Sequence, residues 1–272
     1  MPQNQEFFIP VNHTEKRLFI SRPESINAPS CMTPDDVDYE MSTGKHPEIL
    51  FISGMNQESL EYFVKQYGKD YRYLEFFHCQ LIRDFSPLED LTKLEEVSVH
   101  WNIRAEKLWN FNKNEALKTL TVNDAKKLTL RPDMVKTSAV LENVFFCGGM
   151  FNNYTMESLD CFAGMPSLKH LKLYCIRLAD KRMDALNQMP ALERFDFDAG
   201  MLTTEEIARI VAKYPHLSGQ SLCAYNTEDA VVNDVRVCGF RKPALDLPQH
   251  QKQLDKYIAE FQTLVEQYRT EH

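Results

Sequence analysis

The stretch LKHLKLYCIRL, residues 168–178, sets apolar residues at its positions 1, 4, 6, 9 and 11: Leu168, Leu171, Leu173, Ile176 and Leu178. The spacing recurs along the chain. Tyr71, Leu74, Phe76, Cys79 and Leu81 repeat it, as do Leu94, Val97, Val99 and Asn102. Further copies are Leu117, Leu120 and Val122; Leu141, Val144, Phe146 and Phe151; and Leu192, Phe195, Phe197 and Leu202. Weaker ones begin at Pro47 (Leu50, Ile52, Met55) and at Leu217 (Leu222). Successive copies start 23 to 27 residues apart. Such a period marks a unit that buries its apolar face only by stacking on its neighbours. Positions 4 and 6, two residues apart, lie on one face of a short strand.

Between the strands the pattern turns helical. NQESLEYFVKQYG places Leu60, Phe63, Val64 and Tyr67 at i, i+3, i+4 and i+7. TTEEIARIVAKYP offers Thr203 or Thr204 as an N-cap, acidic residues in the first turn, and Pro215 just past the end. MESLDCFAGMP and DKRMDALNQMP close on Met-Pro, and SPLEDLTK is long enough for a turn or two. The return legs are therefore expected to mix helices with short helical turns.

Over residues 47–226 the chain resembles the leucine-rich repeat family. Position 9, usually asparagine or cysteine, is Asn102 and Cys79 in two copies, but Met55, Ala125, Gly149, Ile176 and Gly200 in others. The resemblance implies an α/β solenoid of about eight repeats, horseshoe-shaped. It would carry a curved parallel β-sheet on the concave face, helices and helical turns on the convex face, and non-repeat caps. Residues 1–46 are the expected N-terminal cap, with KRLFISRP a strand and NAPSCMTPDDVDYEMSTGK a loop. Residues 227–272 are the expected C-terminal cap. In it DAVVNDVRVCGFRKP reads as one or two strands around a turn, and 248–272 as an amphipathic helix. Its stripe, Leu254, Tyr257, Ile258, Phe261, Leu264, Val265 and Tyr268, either seals the last repeat or docks on a partner, including a second copy.

The family commonly binds through its concave face, which positions 3, 5, 7 and 8 would line. Outward positions of a one-sided sheet are expected to be polar. Here Phe51, Tyr73, Phe77, Trp101, Phe145 and Tyr174 fall there, with His100 among the first repeats and Lys172, Arg194, Asp196 and Asp198 giving mixed charge toward the C-terminal end. Aromatic residues so placed are what binding hot spots are made of. These eleven are the expected partner-binding residues. The alternative is that the N-terminal segment or a loop covers some of them, or that the register is shifted by one.

The 272 residues carry a net charge of −8, which disfavours a general nucleic-acid or anionic-membrane binder. No stretch approaches the ~18 apolar residues of a membrane span, and the N-terminus lacks a signal-peptide pattern. The seven cysteines show no CxxC and no zinc-like spacing, so reduced thiols in the cytoplasm are expected, with melting indifferent to reductant. The sequons at Asn12 and Asn153 read as chance matches. CGGM at 147–150 reads as a tight turn, and Asp196 with Asp198 as a charged patch rather than a metal site. With no nucleophile elbow, P-loop, dinucleotide fingerprint or HExxH, neither catalysis nor a cofactor is expected. The function read from the sequence is a non-enzymatic protein–protein interaction module of inhibitor, adaptor or immunity type. Alternatives are a regulatory factor acting on an enzyme such as a small GTPase, a recognition arm of a ubiquitin-ligase or effector assembly, and a hydrolase or carbohydrate binder using the aromatic groove.

Overall fold

The computed structural model describes residues 17–21, 32–43, 49–149, 153–227 and 232–271. The chain divides into two compact units, 1–141 and 142–272. The first contains β1 (Arg17–Ser21), α1 (Pro34–Thr43), β2 (Ile49–Ser53), α2 (Gln57–Gln66), β3 (Tyr73–Phe77), β4 (Glu96–His100), β5 (Thr119–Asn123) and a short α3 (Lys126–Thr129). The five strands are parallel and adjacent in chain order. Their register carries the repeat directly. Leu50, Leu74, Val97 and Leu120 align across the sheet, as do Ile52, Phe76, Val99 and Val122. All eight are buried, so positions 4 and 6 face the core as expected. The return legs cover them with Leu60, Phe63 and Val64 of α2 and with Phe85, Leu88, Trp109 and Phe111 in and just before tighter 3-10 turns.

The N-terminal segment departs from its expected form. β1 is the expected strand, and it extends the sheet in register, Leu18 beside Leu50 and Ile20 beside Ile52. The acidic stretch expected as a loop instead contains α1. Pro34 at the first helical position and Asp35 and Asp36 in the first turn favour a helix start. The Asp36 N–H donates to Thr33 Oγ1 at 3.3 Å, and Asp36 Oδ2 accepts from the Thr33 N–H at 2.8 Å. α1 buries Val37 and Met41. Asp38 accepts hydrogen bonds from Tyr62 (2.8 Å) and Tyr67 (2.6 Å) at α2 and its C-terminal end. A strand followed by a helix is the form of a repeat, and the 32-residue step from Arg17 to Ile49 hides it from a search at period ~24.

Each inner strand ends in a turn of one kind. The position-8 residues Gly54, His78, Trp101 and Asp124 all have positive φ, between 48° and 83°. The His78 N–H reaches His100 O at 3.0 Å and the Trp101 N–H reaches Asn123 O at 2.9 Å, so the ladder continues past the strand ends. Position 9 then turns inward. Asn102 donates to Cys79 O (2.8 Å) and Ile82 O (3.0 Å), and accepts from the N–H groups of Arg104 (3.0 Å) and Ala105 (2.8 Å).

The second unit contains β6 (Asn143–Cys147), β7 (Tyr154–Met156), β8 (His170–Tyr174), β9 (Ile176–Leu178), β10 (Arg194–Phe197), α4 (Thr204–Lys213), β11 (Tyr225–Asn226), β12 (Val235–Val237), β13 (Ala244–Leu245) and α5 (Gln251–Thr270). β6, β8 and β10 run parallel, aligning Val144, Leu171 and Phe195, and Phe146, Leu173 and Phe197. A smaller parallel pair, β7 with β9, sets Met156 beside Leu178. Met156, not Phe151, therefore holds the position-11 place of its repeat. Phe151 lies outside the described residues, and the longest interval of the series, Leu141 to Leu168, accounts for the shift. A Cβ on Gly148 would come within 2.1 Å of Cys175 O, so only glycine fits this turn.

The copy at Leu217 shrinks to a single parallel bridge between Ser218 and Arg194, and Leu222 is only half-buried. Around that bridge the Phe195 N–H donates to Ser218 O and the Ser218 N–H to Glu193 O, both at 2.9 Å. The Ser221 hydroxyl donates to Phe197 O, and the Gly239 N–H to Ala199 O at 2.7 Å. Thr203 caps α4 in a reciprocal box with Glu206. β11, β12 and β13 form an antiparallel sheet, in which β12 lies within the segment expected to hold one or two strands and β11 and β13 flank it. Val235, Val237 and Leu245 pack with Leu254 of α5, and Tyr257 and Ile258 lie against them. Farther along, α5 packs on α4, where the Arg209 guanidinium lies 4.7 Å from the Tyr268 ring centre. Leu254, Phe261, Val265 and Tyr268 are buried in this way, and Tyr257, Ile258 and Leu264 are half-buried, so most of the stripe is covered within the chain. No helix among the described residues is long and apolar enough to cross a membrane.

Candidate functional site

Strand alternation turns positions 3, 5 and 7 away from the core, and the two units are described in turn. In the first, Phe51 stands beside Glu75 across β2 and β3, and Tyr73 beside Glu96 across β3 and β4. The rings form a row: Phe51 to Phe77 at 5.6 Å, and Phe77 to Trp101 at 5.2 Å. His78 meets Trp101 edge-on at 5.9 Å. Phe51, Phe77 and Trp101 are half-buried. Tyr73 is turned toward a neighbouring group, its hydroxyl donating to Glu95 Oε2 at 3.0 Å while the Arg72 guanidinium lies 5.4 Å from its ring centre.

His100 corrects the sequence reading. Expected to face solvent, it is 2 % exposed. Neighbouring parallel strands stand only ~4.8 Å apart, so the Phe77 ring (6.4 Å) and Glu75 (3.7 Å) on β3 cover it. Burial pushes its imidazole pKa down to about 4, and it is neutral at physiological pH. Burial, and then the adjacent Glu75 carboxylate, pushes Glu96 up to about 7. Neither glutamate was among the expected site residues, although both occupy outward template positions.

These shifts have opposite consequences. The unfolded chain binds a proton on His100 below about pH 6.5 that the folded chain takes up only near 4, so this term lowers stability as pH falls through that window. The folded chain holds a proton on Glu96 up to about pH 7 where the unfolded chain has released it, so this term lowers stability as pH rises from 4.5 to 7. Glu96→Gln is expected to stabilise the protein at pH 8 by about 1–3 kcal/mol and to lose that advantage near pH 4. Urea unfolding at the two pH values measures it, and a gain independent of pH would show that the carboxylate's charge is not the cause.

In the second unit, Phe145 and Asp196 are also corrected. Phe145 is 7 % exposed, edge-on to His170 at 4.7 Å. Asp196 is 1 % exposed. Its carboxylate accepts from His170 Nε2 (2.7 Å), Arg194 Nε (2.6 Å) and the Gln220 N–H (2.8 Å). Burial alone would raise its pKa; the His170, Gln220 and Arg194 hydrogen bonds outweigh that and hold it at about 2. Asp198 accepts from the Cys175 N–H at 2.6 Å, tying its carboxylate to the turn after β8. The two aspartates thus serve their own backbone and side-chain neighbours, and among the described residues no three histidine, cysteine or acidic side chains gather as a metal site. Tyr174 donates to Gln220, with Lys172 Nζ 4.5 Å from its ring centre, and Arg194 is exposed. Burial pushes the Cys147 thiol up to about 12, so it stays protonated.

No family model matches the chain, and no curated protein matches it. Among solved structures it is similar to a chain of the crystal structure of a TLR13–ssRNA13 complex, at 18% identity and a TM-score of 0.49. The match covers 62% of this chain and 24% of that one, so the chain spans about a quarter of that protein's length.

Proposed function

We propose that the chain is a leucine-rich-repeat solenoid, with repeats over 47–226 between closing segments 1–46 and 227–272. It works as a non-enzymatic protein-interaction module in the cytoplasm. The observation that carries this reading is the half-buried row of Phe51, Phe77 and Trp101 on the outward face of the first unit's sheet. A sheet face made only for water has no use for three touching rings. The in-register parallel strands support the repeat architecture, and the six described cysteines, none of them joined in a disulfide, suit a reducing compartment. Around the row, Tyr73, Glu75 and His78 supply polar groups at its rim. On the second unit, Lys172, Tyr174, Arg194 and Asp198 remain open to a partner, whereas Phe145 and Asp196 are buried.

Removing a central aromatic hot spot removes about 2 kcal/mol or more of binding, and each 1.4 kcal/mol is about tenfold in affinity. Trp101→Ala is therefore expected to weaken partner binding at least ~10-fold. Its position outside the core leaves the melting temperature nearly unchanged. Lys107→Ala, an exposed residue away from the row, is expected to change neither. Proteins captured by the wild type and by Lys107→Ala, but not by Trp101→Ala, are the expected result in quantitative affinity purification. If Trp101→Ala unfolds the protein, or captures the same proteins as the wild type, the proposed face is wrong.

A further inference from the structure

Cys223 and Cys238 lie fifteen residues apart in a region with no CxxC motif, yet their Sγ atoms are 3.9 Å apart. The backbone holds them there. The Cys238 N–H donates to Ala224 O at 2.9 Å, next to the β11–β12 pairing of Tyr225 with Val237. On its other side, Cys238 O accepts from the Thr204 hydroxyl at 3.1 Å at the start of α4. The two thiols differ in access. Cys223 is half-buried, and Cys238 is fully buried. The Cys223 thiol faces the carbonyls of Gln220 (3.1 Å) and Tyr225 (2.9 Å), while the Asn226 amide points a donor at Cys238 Sγ from 3.8 Å.

We propose that Cys223 and Cys238 are an oxidisable pair, a modification site at which a small-molecule disulfide such as oxidised glutathione closes a bond between the last repeat and the β11–β13 sheet. The Cys223 thiolate, reachable from solvent, attacks one sulfur of oxidised glutathione and expels a glutathione thiolate. The Cys238 thiol then loses its proton and attacks Cys223 Sγ, forming the protein disulfide and expelling the second glutathione. Two protein thiols and one glutathione disulfide become one protein disulfide and two glutathione thiols. The sulfurs must approach by about 2 Å to reach a disulfide length near 2.05 Å. Elsewhere, Cys79 is fully buried, and burial pushes the thiols of Cys79 and Cys147 up to about 12.

The test uses the purified full chain, kept reduced and then incubated with millimolar oxidised glutathione. Free thiols are alkylated, and the protein is digested with trypsin without reduction. Cleavage after Arg236 sends the two cysteines into separate peptides, 214–236 and 237–241, which stay joined only through the new bond. The expected result is this joined pair as the main oxidised species, absent from Cys223→Ser. The oxidised wild type should also melt several degrees above its reduced form, because the bond closes a loop of about fifteen residues. Cys223→Ser should show no such shift. A lasting glutathione adduct on Cys223, or its bonding to any other cysteine, overturns the proposal. So does a joined pair that forms only after the melting transition has been lost.

Discussion

Phe76→Ala should destabilise the protein by about 3–5 kcal/mol, while Phe77→Ala, the next residue, should lose less than about 2 kcal/mol. The two side chains are chemically identical and adjacent, and differ in the face of β3 they occupy. Phe76 is wholly buried, with its ring 5.4 Å from Phe85. Phe77 lies outside, touching Phe51 and Trp101. Because strand side chains alternate with period two, a register slipped by one residue would exchange these results. Urea-unfolding midpoints for both variants decide the matter, and equal losses would remove the basis for an outward aromatic row. Leu171→Ala against Lys172→Ala repeats the comparison in the second unit, where Leu171 is buried between Val144 and Phe195.

Asn102 should be nearly as costly to change. Its buried amide donates to two carbonyls and accepts from two N–H groups, so Asn102→Ala leaves four backbone groups to find other partners. A loss of about 2–4 kcal/mol is expected. Asn102→Asp should be worse at neutral pH. A carboxylate keeps the two accepted bonds but points a negative oxygen at Cys79 O and Ile82 O, in a site with little water to screen it. Part of the loss should return on acidification, when the protonated acid recovers one donor. Thermal melts at pH 4 and pH 7 measure this, relative to wild type at each pH. An aspartate variant as stable as wild type at pH 7 would mean that the amide's two donated bonds contribute nothing.

The strand register was legible because positions 4 and 6 require large apolar residues whatever else changes, and Leu74, Phe76, Val97 and Val99 satisfy that with little ambiguity. The capped helix at Thr203 and the stripe of α5 were legible for the same reason. α1 was not, because its strand and helix precede a 32-residue step that falls outside the ~24-residue period, and proline and aspartate suit a loop as well as a helix's first turn. The outward face was legible only as a set of directions. Lateral packing between strands ~4.8 Å apart decides whether an outward residue stays wet. His100, Phe145 and Asp196 are covered by neighbours on adjacent strands, which a template read one repeat at a time does not see. The left-handed turn at His78, Trp101, Asp124 and Cys175 leaves no hydrophobic signature at all, since it is a matter of φ rather than polarity.

The edge of β10 bears on how the protein behaves at high concentration. A strand at the end of a sheet normally offers its unused N–H and C=O groups to any other strand, and that is a common route to aggregation. Here the Phe195 N–H, Phe197 O and Ala199 O are engaged by Ser218, Ser221 and Gly239, none of which belongs to a regular strand. At Gly219 the backbone comes so near Phe195 O that a Cβ would sit 2.1 Å from it. A foreign strand therefore finds this border occupied by irregular chain that cannot itself be extended. The second unit's sheet stops growing at Phe197, and further copies of the protein cannot be added there.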